Sequence, residues 1–164
     1  MRFLYIFRVK ILSPTIEKTA VYSITFGKIK AIMKDRILEH WDLNYLVSFL
    51  YIFLAESDFV ISKDEAHTLN QSLHDTLINV FFLSEKQKDA VIAEVNTYTH
   101  SLSEEEKMSL VEELTNKIDI PFNIYELVVQ ELNKIAKSDK YVSVEEHSLM
   151  YYIRLKLNKD YEAN

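Results

Sequence analysis

The chain of 164 residues contains no cysteine, one glycine and two prolines. Without cysteine it can form neither a disulfide framework nor a thiolate-based zinc or iron–sulfur site, and it has no cysteine nucleophile. A single glycine argues against an all-β fold and against a glycine-rich phosphate loop, because β-turns and close backbone approaches to phosphate both depend on glycine. The sequence therefore points away from thiol chemistry and from a glycine-rich phosphate loop, and it leaves the redox compartment unconstrained.

Long hydrophobic runs are also missing. The longest, YLVSFLYIFLA at residues 45–55, falls well short of the roughly 20 residues that cross a bilayer. We expect this run to form a buried amphipathic helix, and we expect the protein not to be transmembrane.

Charge is unevenly spread along the chain. Residues 1–36 carry a net charge of +6 and the remainder carries −12. An acidic domain repels phosphate backbones, so we expect no nucleic-acid partner. The change in charge predicts two parts, a basic N-terminal extension at 1–36 and a domain at 37–164. The extension is interpreted either as residues upstream of a natural start at Met33 or as a basic amphipathic arm that touches a membrane or partner.

From Asp42 onward the apolar residues recur at helical spacing. Four segments begin with a serine followed three residues later by Glu or Gln, which is the capping box that starts a helix; the serines are Ser62, Ser84, Ser103 and Ser143. Together these patterns predict an all-α fold, a compact bundle of six to seven helices.

One acidic turn occurs twice. SDFVISKDE (57–65) and SDKYVSVEE (138–146) lie 81 positions apart, each between two predicted helices. The pattern predicts an internal duplication of a helical hairpin, at about residues 42–82 and 123–158.

Capping explains part of each turn. Ser62 and Ser143 are predicted N-caps, and the glutamates three residues on complete their boxes. Capping does not explain the aspartates, which lie near the negative end of the preceding helix, where a carboxylate is mildly unfavourable. Either each aspartate bonds to backbone amides of the turn, or the turns bind divalent cations through carboxylate oxygens. The candidate metal ligands are Asp58 and Glu65 in the first turn and Asp139 and Glu146 in the second.

These two turns resemble the repeated acidic turns of the TerB family, which includes tellurite-resistance proteins and DjlA-like co-chaperone domains. The resemblance covers roughly residues 37–158. It implies a compact helical domain with an acidic site proposed to bind divalent metal, in bacterial stress or tellurite response, often near membrane complexes. The family's aspartate falls on Asp58 and Asp139, its glutamate on Glu65 and Glu146, and its capping serine on Ser62 and Ser143.

The chain departs from that family at one position in each turn. Where the family has glycine after the aspartate, this chain has Phe59 and Lys140. If that position is left-handed, a residue other than glycine costs about 1 kcal/mol or more, which bears on any metal site at the turn.

We therefore expect a non-enzymatic, cytoplasmic binding module that takes calcium, magnesium or zinc at its acidic turns. Its partner is expected to be another protein, which could belong to a membrane-associated complex. The alternative is a co-chaperone-like interaction scaffold in which the turns only fasten the hairpins. A third class, an enzyme that uses Asp58 or Asp139, would need a carboxyl group with a raised pKa in a pocket.

Overall fold

The computed structural model describes most of the chain in two units, which are treated separately. The described residues are 34–37, 39–57, 61–138 and 142–158, and the units are Met1–His40 and Trp41–Asn164. In the first unit, residues 34–37 and 39–40 are helical. The predicted start at Met33 falls outside the described residues, and the predicted division between residues 36 and 37 stays a prediction.

The second unit is all-helical over its described residues. Its elements are α1 (Leu43–Ala55), α2 (Lys63–His74), a π-helical segment (Asp75–Val80), α3 (Glu85–Thr99), α4 (Glu104–Lys117), α5 (Phe122–Ala136) and α6 (Val144–Leu157). The predicted all-α compact bundle is confirmed, and the described residues contain no strand. Common descent of the two hairpins stays a prediction.

Local chemistry explains where four of these helices begin. Ser62, Ser84, Ser103 and Ser143 are N-caps with both hydrogen bonds of a capping box, as predicted. Each serine oxygen accepts from the amide three residues ahead, and the Glu or Gln at that position accepts from the serine amide. Proline at position 121 precedes α5, where its missing amide proton costs nothing because the first helical amides have no partner.

Helix α1 lies at the centre of the bundle. It packs against α2, α3, α4, α5 and α6. Ten consecutive residues, Leu46 to Ala55, are buried. The predicted burial is therefore confirmed, but the predicted amphipathic pattern is wrong, because neighbours cover every face of this stretch. No helix in the described part of the chain combines the length and apolar character needed to span a membrane.

An aromatic cluster joins the start of α1 to α3. The Trp41 ring stacks on Tyr45 at 5.5 Å and meets Tyr98 edge-on at 5.7 Å. The Glu94 carboxylate accepts hydrogen bonds from Trp41 Nε1 (3.1 Å) and from the Tyr45 hydroxyl (3.2 Å). Burial, together with the Glu94 carboxylate, raises the pKa of the Tyr45 phenol. These polar contacts satisfy the ring N–H and O–H while the Trp41 ring is buried and the Tyr45 ring is half-buried.

The second predicted helix does not end as a regular α-helix, and the spacing of its apolar residues gave no indication of this. Residues Asp75–Val80 are π-helical, and Phe82 follows with a φ of 57°. The Phe81 amide donates to the Thr76 carbonyl at 3.0 Å and the Leu83 amide to the Leu77 carbonyl at 2.9 Å. This resembles a Schellman ending, in which a left-handed residue lets later amides reach back to the last helical carbonyls.

Phe82 occupies a position that glycine would fill at lower cost, and its side chain is 84 % exposed. We expect Phe82→Gly to raise the free energy of unfolding by about 0.5–1 kcal/mol. Removing Cβ relieves the left-handed strain, and the greater freedom of glycine in the unfolded chain offsets part of that gain. Urea unfolding followed by circular dichroism measures the change. Phe82→Ala is the control, because it also removes the exposed ring but keeps Cβ; equal effects of the two substitutions would contradict the strain.

Candidate functional acidic turns

The two acidic turns lie between helices whose bounds match across the repeat. The first turn, residues 56–62, follows Ala55 and precedes Lys63; the second turn, residues 137–143, follows Ala136 and precedes Val144. Both pairs of helix ends differ by 81 positions, which is the spacing found in the sequence. Thus the two stretches occupy equivalent places, each closing a helical hairpin.

Backbone geometry matches as well. The Ser57 amide donates to the Leu54 carbonyl and the Ser138 amide to the Ile135 carbonyl, each at 3.1 Å. These bonds begin each turn in the same way. The predicted ligands Asp58 and Asp139 lie outside the described residues, as do Phe59 and Lys140.

At the far end of each turn, the predicted capping serines behave as expected. The Glu65 amide donates to Ser62 Oγ at 3.1 Å, and the Glu146 amide donates to Ser143 Oγ at the same distance. In return, the Ser143 amide donates to Glu146 Oε2 at 2.7 Å, whereas the Ser62 amide is 3.4 Å from Glu65 Oε2. The second box is therefore tighter than the first.

Burial distinguishes these two capping boxes from the others. Glu65 and Glu146 are each only 3 % exposed. In α3 the box residue Gln87 is exposed, and in α4 Glu106 is half-buried with an exposed serine cap. Sequence spacing predicted all four boxes but could not separate them, because the capping pattern is local and burial depends on the packing of distant helices.

A charged carboxylate at Glu65 or Glu146 is energetically costly because both side chains are buried. A carboxylate taken out of water must be compensated by hydrogen bonds and positive charge. The serine amide and the positive end of the helix supply part of this compensation. Capping itself does not demand a charge, since neutral Gln87 accepts the same bond from the Ser84 amide at 2.9 Å.

A buried lysine lies beside the first turn, and the sequence did not indicate it. Lys107, 6 % exposed, donates to Glu56 Oε2 at 3.3 Å and to Glu104 Oε1 at 3.2 Å. Its Nζ also lies 5.3 Å from the centre of the Phe53 ring. Glu56 is the first residue of the turn, and 51 positions separate it from Lys107. A lysine in an acidic helix is ordinarily a surface residue, so no sequence signal identifies this contact.

Charge and hydrogen bonding differ between the two turns. Position 56 is glutamate, but its counterpart is Lys137. Ser138 Oγ donates to the Ile135 carbonyl at 2.7 Å, while the buried Ser57 Oγ has no hydrogen-bond partner among the described residues. The first turn therefore combines more carboxylate charge with a buried hydroxyl oxygen that other described groups leave unbonded.

No group of three or more His, Asp or Glu side chains within the described ranges is placed to hold a metal ion. Asp58 and Asp139 lie outside those ranges. The described ligand candidates Glu65 and Glu146 lie in different hairpins, each in the first turn of the helix that follows its acidic turn.

Comparisons of the chain with protein-family models, curated proteins and solved structures gave no match. The TerB resemblance stays a prediction that rests on the residues of the two turns.

Proposed function

We propose that this protein is a non-enzymatic helical binding module whose two acidic turns each hold a divalent cation. The observation that carries the proposal is the burial of Glu65 and Glu146 at equivalent places in two hairpins, each 3 % exposed. A setting in bacterial stress or tellurite response rests only on the resemblance of these turns to the TerB family.

Capping does not require the negative charge that Glu65 and Glu146 carry. Gln87 shows that a neutral side chain completes a capping box in this protein. A buried carboxylate is therefore an added cost at Glu65 and Glu146, and a cation bound beside it would offset that cost. Calcium and magnesium bind oxygen ligands, which the glutamates, the turn aspartates and the carbonyls that end α1 and α5 would provide.

The first turn provides the better oxygen environment. Ser57 Oγ is buried without a hydrogen-bond partner among the described residues, and Glu56 adds a carboxylate next to Asp58. Lys107 on α4 donates to Glu56 Oε2 at 3.3 Å and offsets that charge, so Ser57 Oγ is the oxygen that most distinguishes the first turn. The second turn has Lys137 in place of Glu56, so it holds fewer negative charges for a cation.

Titration calorimetry with calcium, magnesium and zinc tests the proposal on the full chain. We expect saturable heat with at least one of them, lost from the matching turn in Glu65→Gln and in Glu146→Gln. Because glutamine retains the capping bond, these variants remove charge while keeping the helix start. At a cation concentration of about 100 times Kd, binding should stabilise the wild-type fold by about 2.7 kcal/mol.

The matched control is Glu106→Gln, which makes the same change in the capping box of α4. It should leave cation binding intact. Absence of saturable heat with all three cations would reject the proposal. So would unchanged thermal stability of Asp58→Asn and Asp139→Asn, relative to wild type, in every cation.

A second candidate function is a protein-interaction scaffold in which the turns only fasten the hairpins. The observation that favours it lies away from the turns. Phe82, Phe122 and Tyr151 expose 84 %, 71 % and 65 % of their surface, respectively, on a domain that buries most other large apolar side chains. Exposed aromatic residues of this kind are enriched at protein interfaces. A protein partner at these exposed rings would leave the residues of the acidic turns untouched, so the two candidates differ only in whether the turns hold a cation.

A further inference from the structure

Lys107 on α4 places a positive charge against the first acidic turn. Its side chain is 6 % exposed, and its Nζ donates to Glu56 Oε2 at 3.3 Å and to Glu104 Oε1 at 3.2 Å. The Phe53 ring approaches the same ammonium group, with its centre 5.3 Å from Nζ. A buried ammonium group needs such partners, because it has lost most of its contact with water. The burial of Lys107 therefore depends in part on the Glu56 carboxylate.

Glu56 links this ion pair to the candidate cation site. It is the first residue of the turn and directly precedes Ser57, whose buried Oγ has no hydrogen-bond partner among the described residues. A divalent cation binds to carboxylate and hydroxyl oxygens of this kind. Glu56 Oε2 accepts from Lys107, and Glu56 Oε1 lies 3.9 Å from His100 Nε2. The negative charge that Glu56 offers to a cation is thus already partly offset by its neighbours.

The second turn differs in both respects. The counterpart of Glu56 is Lys137, whose side chain is exposed. The ion-pair partners of Lys107 in the described part of the chain are Glu56 and Glu104, and neither belongs to the second turn. Removing the charge of Lys107 should therefore act on one turn and leave the other as a reference within the same molecule.

We propose that Lys107 competes with the cation of the first turn for the Glu56 carboxylate, an inference that rests on the proposed function. The ammonium group and a divalent cation draw on the same negative charge, so each weakens the binding of the other. Lys107 balances the charge of the turn when the cation is scarce, and it raises the cation concentration at which the turn fills. The affinity of the first turn is in this way regulated by a residue of α4.

Titration calorimetry on the full chain tests the proposal, with the Glu146→Gln background used to isolate the first turn. Lys107→Met removes the ammonium group and keeps an unbranched apolar side chain beside Phe53. We expect it to tighten calcium or magnesium binding at the first turn at least about fivefold, the lower end of typical coupling between two sites. In the Glu65→Gln background, which isolates the second turn, the same substitution should leave the affinity unchanged.

The matched control is Lys134→Met, which removes an exposed lysine that pairs with Glu131. It should change the affinity of either turn less than about twofold. Thermal melting followed by circular dichroism gives a second measurement. Because a smaller Kd gives more stabilisation at the same cation concentration, the cation should raise the melting temperature of Lys107→Met more than that of wild type.

Glu56→Gln separates competition for one carboxylate from a general effect of charge. Glutamine still accepts a hydrogen bond from Lys107, so this variant keeps the contact between α1 and α4 while it removes the shared charge. It should weaken cation binding at the first turn. Adding Lys107→Met to Glu56→Gln should then change the affinity less than about twofold, because the carboxylate for which lysine and cation compete is gone.

The outcomes distinguish this inference from the proposed function. Absence of saturable heat from wild type and Lys107→Met alike would overturn both. Saturable heat in wild type with an affinity that either Lys107→Met or Glu56→Gln leaves unchanged would overturn the competition alone. So would tightening by Lys107→Met that persists in the Glu56→Gln background, because the lysine would then act without Glu56. Heat shown by Lys107→Met but not by wild type would reject the proposed function of the native chain and support the competition.

Discussion

Replacing Phe49 with alanine is expected to lower the free energy of unfolding by about 3–5 kcal/mol. Phe49 is 0 % exposed at the centre of α1, and its ring stacks on Phe53 at 5.6 Å and lies 6.2 Å from the Trp41 ring. Because α1 is covered on every side, no neighbouring helix can move inward without disturbing another. The substitution should therefore leave a cavity that closes only in part.

Urea unfolding followed by circular dichroism gives the measurement for Phe49→Ala. Tyr151→Ala is the matched control, since it removes a comparable ring from a residue that is 65 % exposed. That control should change stability by no more than about 0.5 kcal/mol. A loss below about 1 kcal/mol for Phe49→Ala would mean that the packing around α1 is looser than the structure shows.

Replacing Lys107 with alanine is expected to cost about 2–3 kcal/mol. Removing one partner of a fully buried ion pair costs about 3–5 kcal/mol. The expected cost for Lys107→Ala is lower because solvent screens this pair: the side chains of Glu56 and Glu104 are 20 % and 49 % exposed. The substitution also removes the contact between the lysine and the Phe53 ring. Glu56, beside the negative end of α1, would then keep only His100, whose Nε2 lies 3.9 Å from Glu56 Oε1.

A double-mutant cycle with Glu56→Ala isolates the pair from the packing of the lysine stem. The coupling energy should exceed about 1 kcal/mol. As a comparison, Lys134→Ala breaks an i,i+3 pair with Glu131 whose lysine is 44 % exposed, and it should cost about 0.5 kcal/mol or less. Equal costs for Lys107 and Lys134 would show that burial of the first pair has no energetic consequence.

Helix starts were predictable because their signals are local. Each capping box lies within four residues, and all four predicted boxes form in the structure. Spacing of apolar residues likewise predicted a bundle of six to seven helices, and the described part of the second unit contains six α-helices and one π-helical segment. A helix start depends on amides that have no other partner, so neighbouring residues decide it before any tertiary contact forms.

Features set by tertiary packing were not predictable in the same way. The run at residues 45–55 shows that α1 is apolar but not that five other helices surround it. The π-helical segment arises within a stretch whose leucines fit ordinary α spacing, and Phe82 stands where glycine would have been the expected signal. Lys107 gave no sign of burial, because its partner Glu56 lies on another helix end.

At the candidate site, too, local features could be predicted from the sequence but burial could not. Sequence comparison of the two halves identified Glu65 and Glu146 as equivalent residues, and the structure places them at equivalent helix starts. Their burial comes from the helices packed over them, which no short motif encodes. The turn aspartates lie outside the described residues, so their part in cation binding stays a prediction.

The central position of α1 has a consequence for synthesis on the ribosome. Among the helices of its unit, α1 is made first, but α6, one of those that cover it, ends at Leu157. At about 5–20 residues per second, the stretch from Ala55 to Leu157 takes roughly 5–20 s to translate. During that interval the apolar stretch from Leu46 to Ala55 emerges before its last cover exists. The nascent chain therefore exposes an apolar surface that the finished protein conceals.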